Sequence, residues 1–488
     1  MSCGGKPAQR TAAIAKHMSS SGNTASSLTE PLVQFETNLA LRSYVLNRPR
    51  KLNALNESMI TLLREQVEEW GQSSLTGAVV GTGIGRAFCA GGDVATVVQH
   101  AREEGTRSQA VEFFKQEFEL DYILAALPKP YIVAMDGITM GGGVGLAAHA
   151  PFRIATENTV LAMPEAKIGY SPDVGASYFL SRLDGEIGTY LALTSDTLSA
   201  RAVYEHGIAT HFIPSRRIAI LLDRIKALET PSLELIDRTI EELSSEREHD
   251  EPGSPLVGDV RVALDSAFRH QSVELILKDL EEFSKRSDLA VSGWAKRTLD
   301  SLLMRSPTSL KVALSAIRKG KGLSLLQTLQ MELGIATAYC NGASPDFETG
   351  VTAVLVNRSP PEERPDWSPA TVEEVTPAIV ARFFDQGSQY LKNTPELSVP
   401  DNLAKTIVDP MRFALPTERA IAQRFKRSKS GAIALPDLLA HFGGVDVLRP
   451  GKQGVREKVL EVLQRRCEFV DKGDGKQRYW IRWSTVDP

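Results

Sequence analysis

From Val33 to Asn47 apolar and polar residues alternate in two short runs broken near Thr37-Asn38, a period of two that predicts two strands and a hairpin opening the fold. Asn53 and Asn56 precede a stretch whose apolar Met59, Ile60, Leu62, Leu63, Val67 and Trp70 recur at helical spacing, so a helix capped by Asn56 is expected. Thr76 to Val80 reads as a strand. Residues 108–126 read as a helix with Phe113, Phe114, Phe118, Leu120 and Ile123 on its apolar side, stopped by Pro128 and Pro130. Tyr131 to Met135, Arg153 to Ala155 and Val160 to Ala162 read as short strands, followed by helices from about 174 to 184 and 185 to 193. Strands and helices alternating over short links imply an α/β core. From about 196 to 345 the period is almost wholly helical, apart from a Ser/Glu/Pro-rich break at 244–256. Pro360, Pro361, Pro365 and Pro369 mark a linker, and a short helix near 372–385 closes this region. Beyond it, helical stretches near 416–428, 434–442 and 453–467 and a terminal hairpin around Arg478 to Trp483 suggest a small added module. No internal repeat is visible.

Composition narrows the classes. With 488 residues, 42% hydrophobic and 24% charged, the chain has the make-up of a globular protein, and disorder throughout is excluded. Cys3, Cys89, Cys340 and Cys467 are scattered without CxxC or Cys/His spacing, so neither a disulfide framework nor a zinc site is suggested and a reducing compartment fits. The apolar run from Ile132 to Ala150 is broken by Asp136, glycines and His149, which is wrong for a membrane span. The net charge of −4 is uneven: residues 411–488 hold 16 Lys+Arg against 9 Asp+Glu, or +7, leaving −11 elsewhere. Residues 1–29 carry Lys6, Arg10 and Lys16, many Ser and Thr and no acid, the composition of a mitochondrial targeting segment, with an untargeted disordered tail as the alternative. The domains expected are thus 1–29, 30–385 and a basic extension, 386–488.

Candidate chemistry lies in three segments. Cys89-Ala90-Gly91-Gly92-Asp93 and Met140-Gly141-Gly142-Gly143-Val144-Gly145 are glycine clusters at passages from strand to helix, which suits Gly92 and Gly142 as paired backbone N–H donors to an oxyanion. Tight turns needed only for packing would explain either cluster alone. Between Met163 and Gly175, Glu165 and Asp173 stand eight residues apart in a segment otherwise apolar or punctuated by Gly and Pro. Desolvation there would raise Glu165 toward the range of a general acid or base, while Asp173 could equally cap the helix after it. Glu117 reads from the residues alone as a solvated helix position, His149 as a satisfied core histidine, and Asp93 as a cap or a ligand contact. Gly81-Thr82-Gly83-Ile84-Gly85-Arg86 lacks the third glycine of a dinucleotide fingerprint, and no G-x-S-x-G elbow occurs.

Together, Asn47-Arg48-Pro49, Ala87 to Asp93, Met135 to Gly145, Met163-Pro164-Glu165 and Pro172-Asp173-Val174-Gly175 resemble the crotonase (enoyl-CoA hydratase/isomerase) superfamily in its 3-hydroxyisobutyryl-CoA hydrolase branch. The resemblance continues through Gly207 to Phe212, Ser306 to Leu310 and Asp346-Phe347-Glu348, covering roughly 32–385. It implies a crotonase fold, in which ββα units build a superhelix with a helical C-terminal region. It implies thioester hydrolysis of 3-hydroxyisobutyryl-CoA in the mitochondrial matrix, within valine catabolism, with no cofactor because CoA is part of the substrate. It assigns Gly92 and Gly142 to the oxyanion hole, Glu165 and Asp173 to catalysis, and Glu117, Gly142, Glu165 and Asp173 to substrate binding. Hydratases of the superfamily carry a catalytic glutamate where this chain has Gly145 and typically a glycine where it has Asp173, a pattern that favours hydrolysis over addition of water. Val79-Val80-Gly81-Thr82, Thr352 and Asn357-Arg358 depart from the branch at positions that bear on CoA affinity more than on chemistry. Fungal relatives with a similar extension resemble a component of the mitochondrial small ribosomal subunit. That makes a ribosomal role, through RNA or protein bound by the basic extension, the rival reading; a homo-oligomer is allowed.

Overall fold

Asn38 pairs with Leu41 across a turn in which Leu39 takes a left-handed φ of 52°, so β1 (Val33–Asn38) and β2 (Leu41–Leu46) meet slightly later than the alternation suggested. The computed structural model describes residues 30–428, 431–443, 451–470 and 480–484. The 1–29 segment and Arg478-Tyr479 lie outside the described residues. The chain divides into two compact units, Met1–Leu32 and Val33–Pro488, and every strand and helix described belongs to the second.

Helix α1 (Glu57–Gln72) starts where Asn56 accepts a hydrogen bond from the Met59 N–H, as its sequence predicts. It leads into β3 (Ala78–Gly83) and β4 (Ala87–Cys89), then α2 (Val94–Arg102) and α3 (Arg107–Ala125). The chain continues through β5 (Tyr131–Met135), β6 (Ile138–Met140), α4 (Gly142–Ala148), β7 (Phe152–Ala155) and β8 (Val160–Ala162). A 3-10 turn over Glu165–Ile168 precedes α5 (Ala176–Phe179) and α6 (Ile187–Thr194). Positive φ at Val174 and Gly175 holds off the helix expected from 174, and the chain tightens to a 3-10 turn over Leu180–Arg182.

Two sheets result. The larger runs β1-β2-β3-β5-β7-β10, where β10 is His211–Phe212, and is parallel except for the opening hairpin. The smaller runs β4-β6-β8-β9, where β9 is Leu198–Ser199. One face of the larger sheet, presenting Ala78, Val80, Ile132, Ala134, Phe152 and Ile154, is covered by the apolar sides of α8 (Ile218–Lys226) and α9 (Leu233–Glu241), which follow α7 (Arg201–Glu205). On the opposite face the hydroxyls of Tyr44 and Tyr131 share a 2.6 Å hydrogen bond, and Tyr131 donates to the Leu146 carbonyl of α4, tying sheet to helix. Helices α10 (Gly258–Phe268), α11 (Val273–Ser284), α12 (Leu289–Met304), α13 (Pro307–Gly320), α14 (Leu325–Cys340) and α15 (Asp346–Val351) form the helical region, and α16 (Pro377–Ala381) follows the proline-rich stretch.

Residues 386–488 contribute α17 (Glu418–Lys426), α18 (Leu435–Gly443), α19 (Val455–Arg466) and a three-stranded antiparallel sheet of β11 (Ala432–Ala434), β13 (Trp480–Trp483) and β12 (Cys467–Val470). This segment is joined to the core at many points. Phe413 enters the cluster on the larger sheet and packs on Phe152 with ring centroids 4.6 Å apart. Tyr122 and Tyr178 donate to the carbonyls of Leu403 and Val408. Much of its positive charge is turned inward: Lys452 pairs with Glu241, Lys458 with Asp184, and Arg466 with Asp265 and Glu418.

Candidate functional site

Strands β4, β6 and β8 are parallel neighbours, so their C-terminal ends lie side by side along one edge. Cys89 is followed by Gly91-Gly92, Met140 by Gly141-Gly142, and Ala162 by Met163-Pro164-Glu165. Gly92 and Glu165, 73 positions apart in sequence, are thereby brought to one edge on either side of Gly142. Gly91 and Gly141 adopt positive φ, which lets the chain turn sharply out of each strand. Among the described residues, neither the Gly92 nor the Gly142 N–H has an acceptor. Gly142 is the first residue of α4, so its N–H is one a helix cannot satisfy internally.

Helix α3 brings Glu117 against this edge. A Cβ added to Gly142 would overlap Glu117 Oε1, and one added to Gly92 would stand 3.7 Å from the same atom. Glu117 is buried, and Lys115, the neighbour that might have held it at the surface, pairs with Glu119 instead. A solvated helix position is thus overturned, because the polar face of α3 turns into the protein here. Glu165 is buried on the 3-10 turn, its Oε1 3.0 Å from where a Gly141 Cβ would lie and its Oε2 without a hydrogen-bond partner.

Asp173 is also buried, but its side chain does not cap α5. The N–H groups of Gly175 and Ser177 at that helix start donate to Glu332 of α14 at 2.6 and 2.8 Å, which leaves the Asp173 carboxylate free of the capping role. Tyr170 flanks it, stacked on Phe114 and packed against Tyr339 and Phe347 as an aromatic wall. Asp93 likewise does not cap α2; its carboxylate pairs with Arg48 at 3.0 Å. His149 is a core residue: its Nε2 meets the Val174 carbonyl at 3.0 Å, and burial lowers its pKa to about 4.

Two acids belong here that the sequence pattern did not single out. Asp121, one turn beyond Glu117 on α3, is wholly buried with both carboxyl oxygens unpartnered. Glu332 is the second. The spacing of Asp121 from Glu117, on a helix whose neighbouring positions are apolar, was the available signal; Glu332 lies over 150 residues from its partners and left none.

Five carboxyls are therefore gathered with no cation paired to any of them among the described residues. Burial raises Glu117, Asp121 and Glu165 well above the ordinary carboxylate range, and the charge of Asp173 pushes each further. Burial likewise brings Asp173 up to about 7 against the pull of Tyr170, and Glu332 up to about 8 against its backbone hydrogen bonds. Acids so placed hold protons near neutral pH, beside two free N–H donors: the equipment of acyl chemistry with proton transfer.

The enoyl-CoA hydratase/isomerase family profile matches residues 41–384. The small ribosomal subunit protein mS47 of Neurospora crassa is 40% identical over 89% of this chain and 85% of its own. The mitochondrial 3-hydroxyisobutyryl-CoA hydrolase of Homo sapiens is 38% identical over 71% of this chain and 87% of its own. Among solved structures, a carnitinyl-CoA dehydratase from Mycobacterium thermoresistibile superposes with a TM-score of 0.66 at 33% identity, covering 76% of this chain and 99% of that one.

Proposed function

The chain belongs to the enoyl-CoA hydratase/isomerase family, and from that premise we propose that it hydrolyses the thioester of 3-hydroxyisobutyryl-CoA to 3-hydroxyisobutyrate and CoA in the mitochondrial matrix. The observation that carries this reading is the meeting of the free Gly92 and Gly142 N–H groups with the Glu165 carboxyl, whose Oε2 has no partner, at a wall where position 145 has no side chain to act as a second hydratase acid.

The thioester carbonyl lies between the Gly92 and Gly142 N–H groups, which stabilise the oxyanion as the carbonyl carbon becomes tetrahedral. Glu165, once it has given up its own proton, either takes a proton from water as the water oxygen bonds to that carbon, or attacks the carbon itself to give an anhydride that water then opens. In the first route the C–S bond breaks as Glu165 passes the water proton to the CoA sulfur. In the second the sulfur leaves as thiolate and takes its proton from the water that opens the anhydride. In both, the net reaction consumes one water. Asp173 and Glu117 bind the acyl group and its hydroxyl. The test is release of CoA from 3-hydroxyisobutyryl-CoA by the purified protein. Glu165→Gln should slow it about 100-fold or more, in the range of losing one oxyanion donor, and crotonyl-CoA should not be hydrated. Normal hydrolysis by that variant would overturn the reading.

A second reading has its own observation. The match to mS47 spans 89% of the chain, more than residues 41–384 could supply, so it includes sequence outside the enzyme region. Association with the mitochondrial small ribosomal subunit is therefore proposed as a further role, through cations of the extension that remain exposed, among them Arg419, Lys426 and Arg427. Replacing these three by Glu should abolish co-sedimentation with small subunits and leave hydrolysis intact; unchanged co-sedimentation would exclude this surface.

A further inference from the structure

Tyr170 is fixed between two acids of the site. Its N–H closes the 3-10 turn onto the Glu165 carbonyl at 3.0 Å, and Asp173 follows three residues later. Gly169 just before it turns the chain with a left-handed φ of 75°, where a Cβ would overlap the Asp346 carbonyl, so the backbone has no room to give way. The Tyr170 ring is stacked on Phe114 with centroids 5.4 Å apart and planes within 16°, and Phe347 and Tyr339 pack against it at 4.7 and 5.0 Å. Phe114 meets Phe113 edge-on at 5.9 Å, and the Phe113 ring lies 3.2 Å from where a Gly92 Cβ would stand. A continuous aromatic wall therefore leads from the oxyanion edge to Tyr170.

Packing accounts for that ring and not for its hydroxyl. Tyr170 is buried, and its hydroxyl has no hydrogen-bond partner; among the described residues no other buried tyrosine hydroxyl is left so. The hydroxyls of Tyr44 and Tyr131 meet each other, those of Tyr122 and Tyr178 donate to carbonyls, and that of Tyr339 meets Ser309. A polar group buried without a partner is costly enough to need a reason. The charge that acts on this hydroxyl most strongly is the Asp173 carboxyl, which lies beside it but outside hydrogen-bond geometry. A phenol and a carboxyl so placed are two polar groups waiting for a third.

We propose that Tyr170 is a specificity-determining residue for the hydrolysis: its hydroxyl and the Asp173 carboxyl together hold the hydroxyl of the acyl group. The phenol donates to the substrate oxygen, and the substrate O–H donates to Asp173, which keeps an acceptor oxygen whether or not it carries a proton. An acyl group without the hydroxyl leaves both protein groups unpaired, and a site built to bond a substrate hydroxyl rejects an analogue that lacks it. Hydroxyacyl thioesters are thereby chosen over plain acyl thioesters. This inference rests on the hydrolase reading above.

The test compares kcat/KM for 3-hydroxyisobutyryl-CoA and isobutyryl-CoA in the parent and in Tyr170→Phe, which keeps the ring and removes only the hydroxyl. Turnover of the hydroxylated ester should fall about tenfold or more, the scale of one lost hydrogen bond in a buried site. Turnover of isobutyryl-CoA should hold steady, so the preference for the hydroxylated ester shrinks by the same factor. The urea midpoint of Tyr170→Phe should not fall, because the hydroxyl makes no bond inside the protein. A lowered midpoint, a loss shared equally by both esters, or a preference equal to the parent's would each overturn this inference and leave the hydrolase reading standing. A parent that releases CoA from neither ester would overturn that reading, and this inference with it.

Discussion

The Gly175 N–H and a carboxylate oxygen of Glu332 are joined by a 2.6 Å hydrogen bond across 157 residues of chain, and the other oxygen of the same carboxylate takes the Ser177 N–H. This fixes the helix start directly after Asp173 from outside the loop, so Asp173 is positioned without its side chain being used. Glu332→Leu should cost about 1–3 kcal/mol of stability in urea unfolding, the penalty of leaving buried donors unmade. It should also lower kcat by an order of magnitude or more as the Asp173 loop shifts. Full activity in that variant would show that the anchor has no bearing on the site.

The acid cluster makes stability depend on pH in an unusual sense. Glu332 goes from 4.5 when unfolded to about 8 when folded, and Asp173 from 3.8 to about 7. The folded chain therefore holds more protons than the unfolded one between these values, and stability falls as pH rises. It is fully present below the unfolded values and lost as pH climbs through the folded ones. Thermal melts from pH 5 to 8 should show a declining Tm, with a shallower decline in Glu332→Gln; a Tm that rises over this range would contradict the assignment.

Gly142→Ala places a methyl group on Glu117 Oε1 beside a needed N–H. Hydrolysis should fall by about 100- to 1000-fold, the cost of disabling one oxyanion donor, while circular dichroism stays that of the parent. Activity within tenfold of the parent would remove Gly142 from the oxyanion hole.

Much of this site could be read from sequence because its residues lie in contiguous motifs whose strangeness is local. Glycines at strand ends and acids among apolar neighbours are each visible within a dozen residues. What could not be read depends on which strands lie side by side. Adjacency of β4, β6 and β8 turns Glu117 inward and removes its solvated alternative, and the capping role of Asp173 fails because a carboxylate arrives from α14. Asp121 shows the limit most clearly. On a helix with several acids, periodicity cannot say which faces the interior, since α3 buries Glu117, Glu119 and Asp121 alike, and only Glu119 has cations to meet it.

Phe413 tests whether the C-terminal extension can be separated from the core. Its ring lies on Phe152 within the main hydrophobic cluster, so Phe413→Ala should destabilise the protein by about 3–5 kcal/mol. Truncation after residue 385 should lower solubility as well as remove surface charge. A soluble truncated protein with the parent's denaturation midpoint would show that the core closes without it.

The run of three parallel strand ends also frees part of the chain from selection for length. The strand ends that precede Gly92, Gly142 and Glu165 are one inter-strand step apart, about 4.8 Å each, whatever number of residues the chain uses to travel from one to the next. Insertions at the exposed link between α2 and α3, around Glu103 to Gly105, can lengthen that journey without moving its destinations. The same triplet of backbone and carboxyl groups is thus compatible with very different outer surfaces, and the proposed catalytic edge and the proposed assembly surface can diverge independently on one chain.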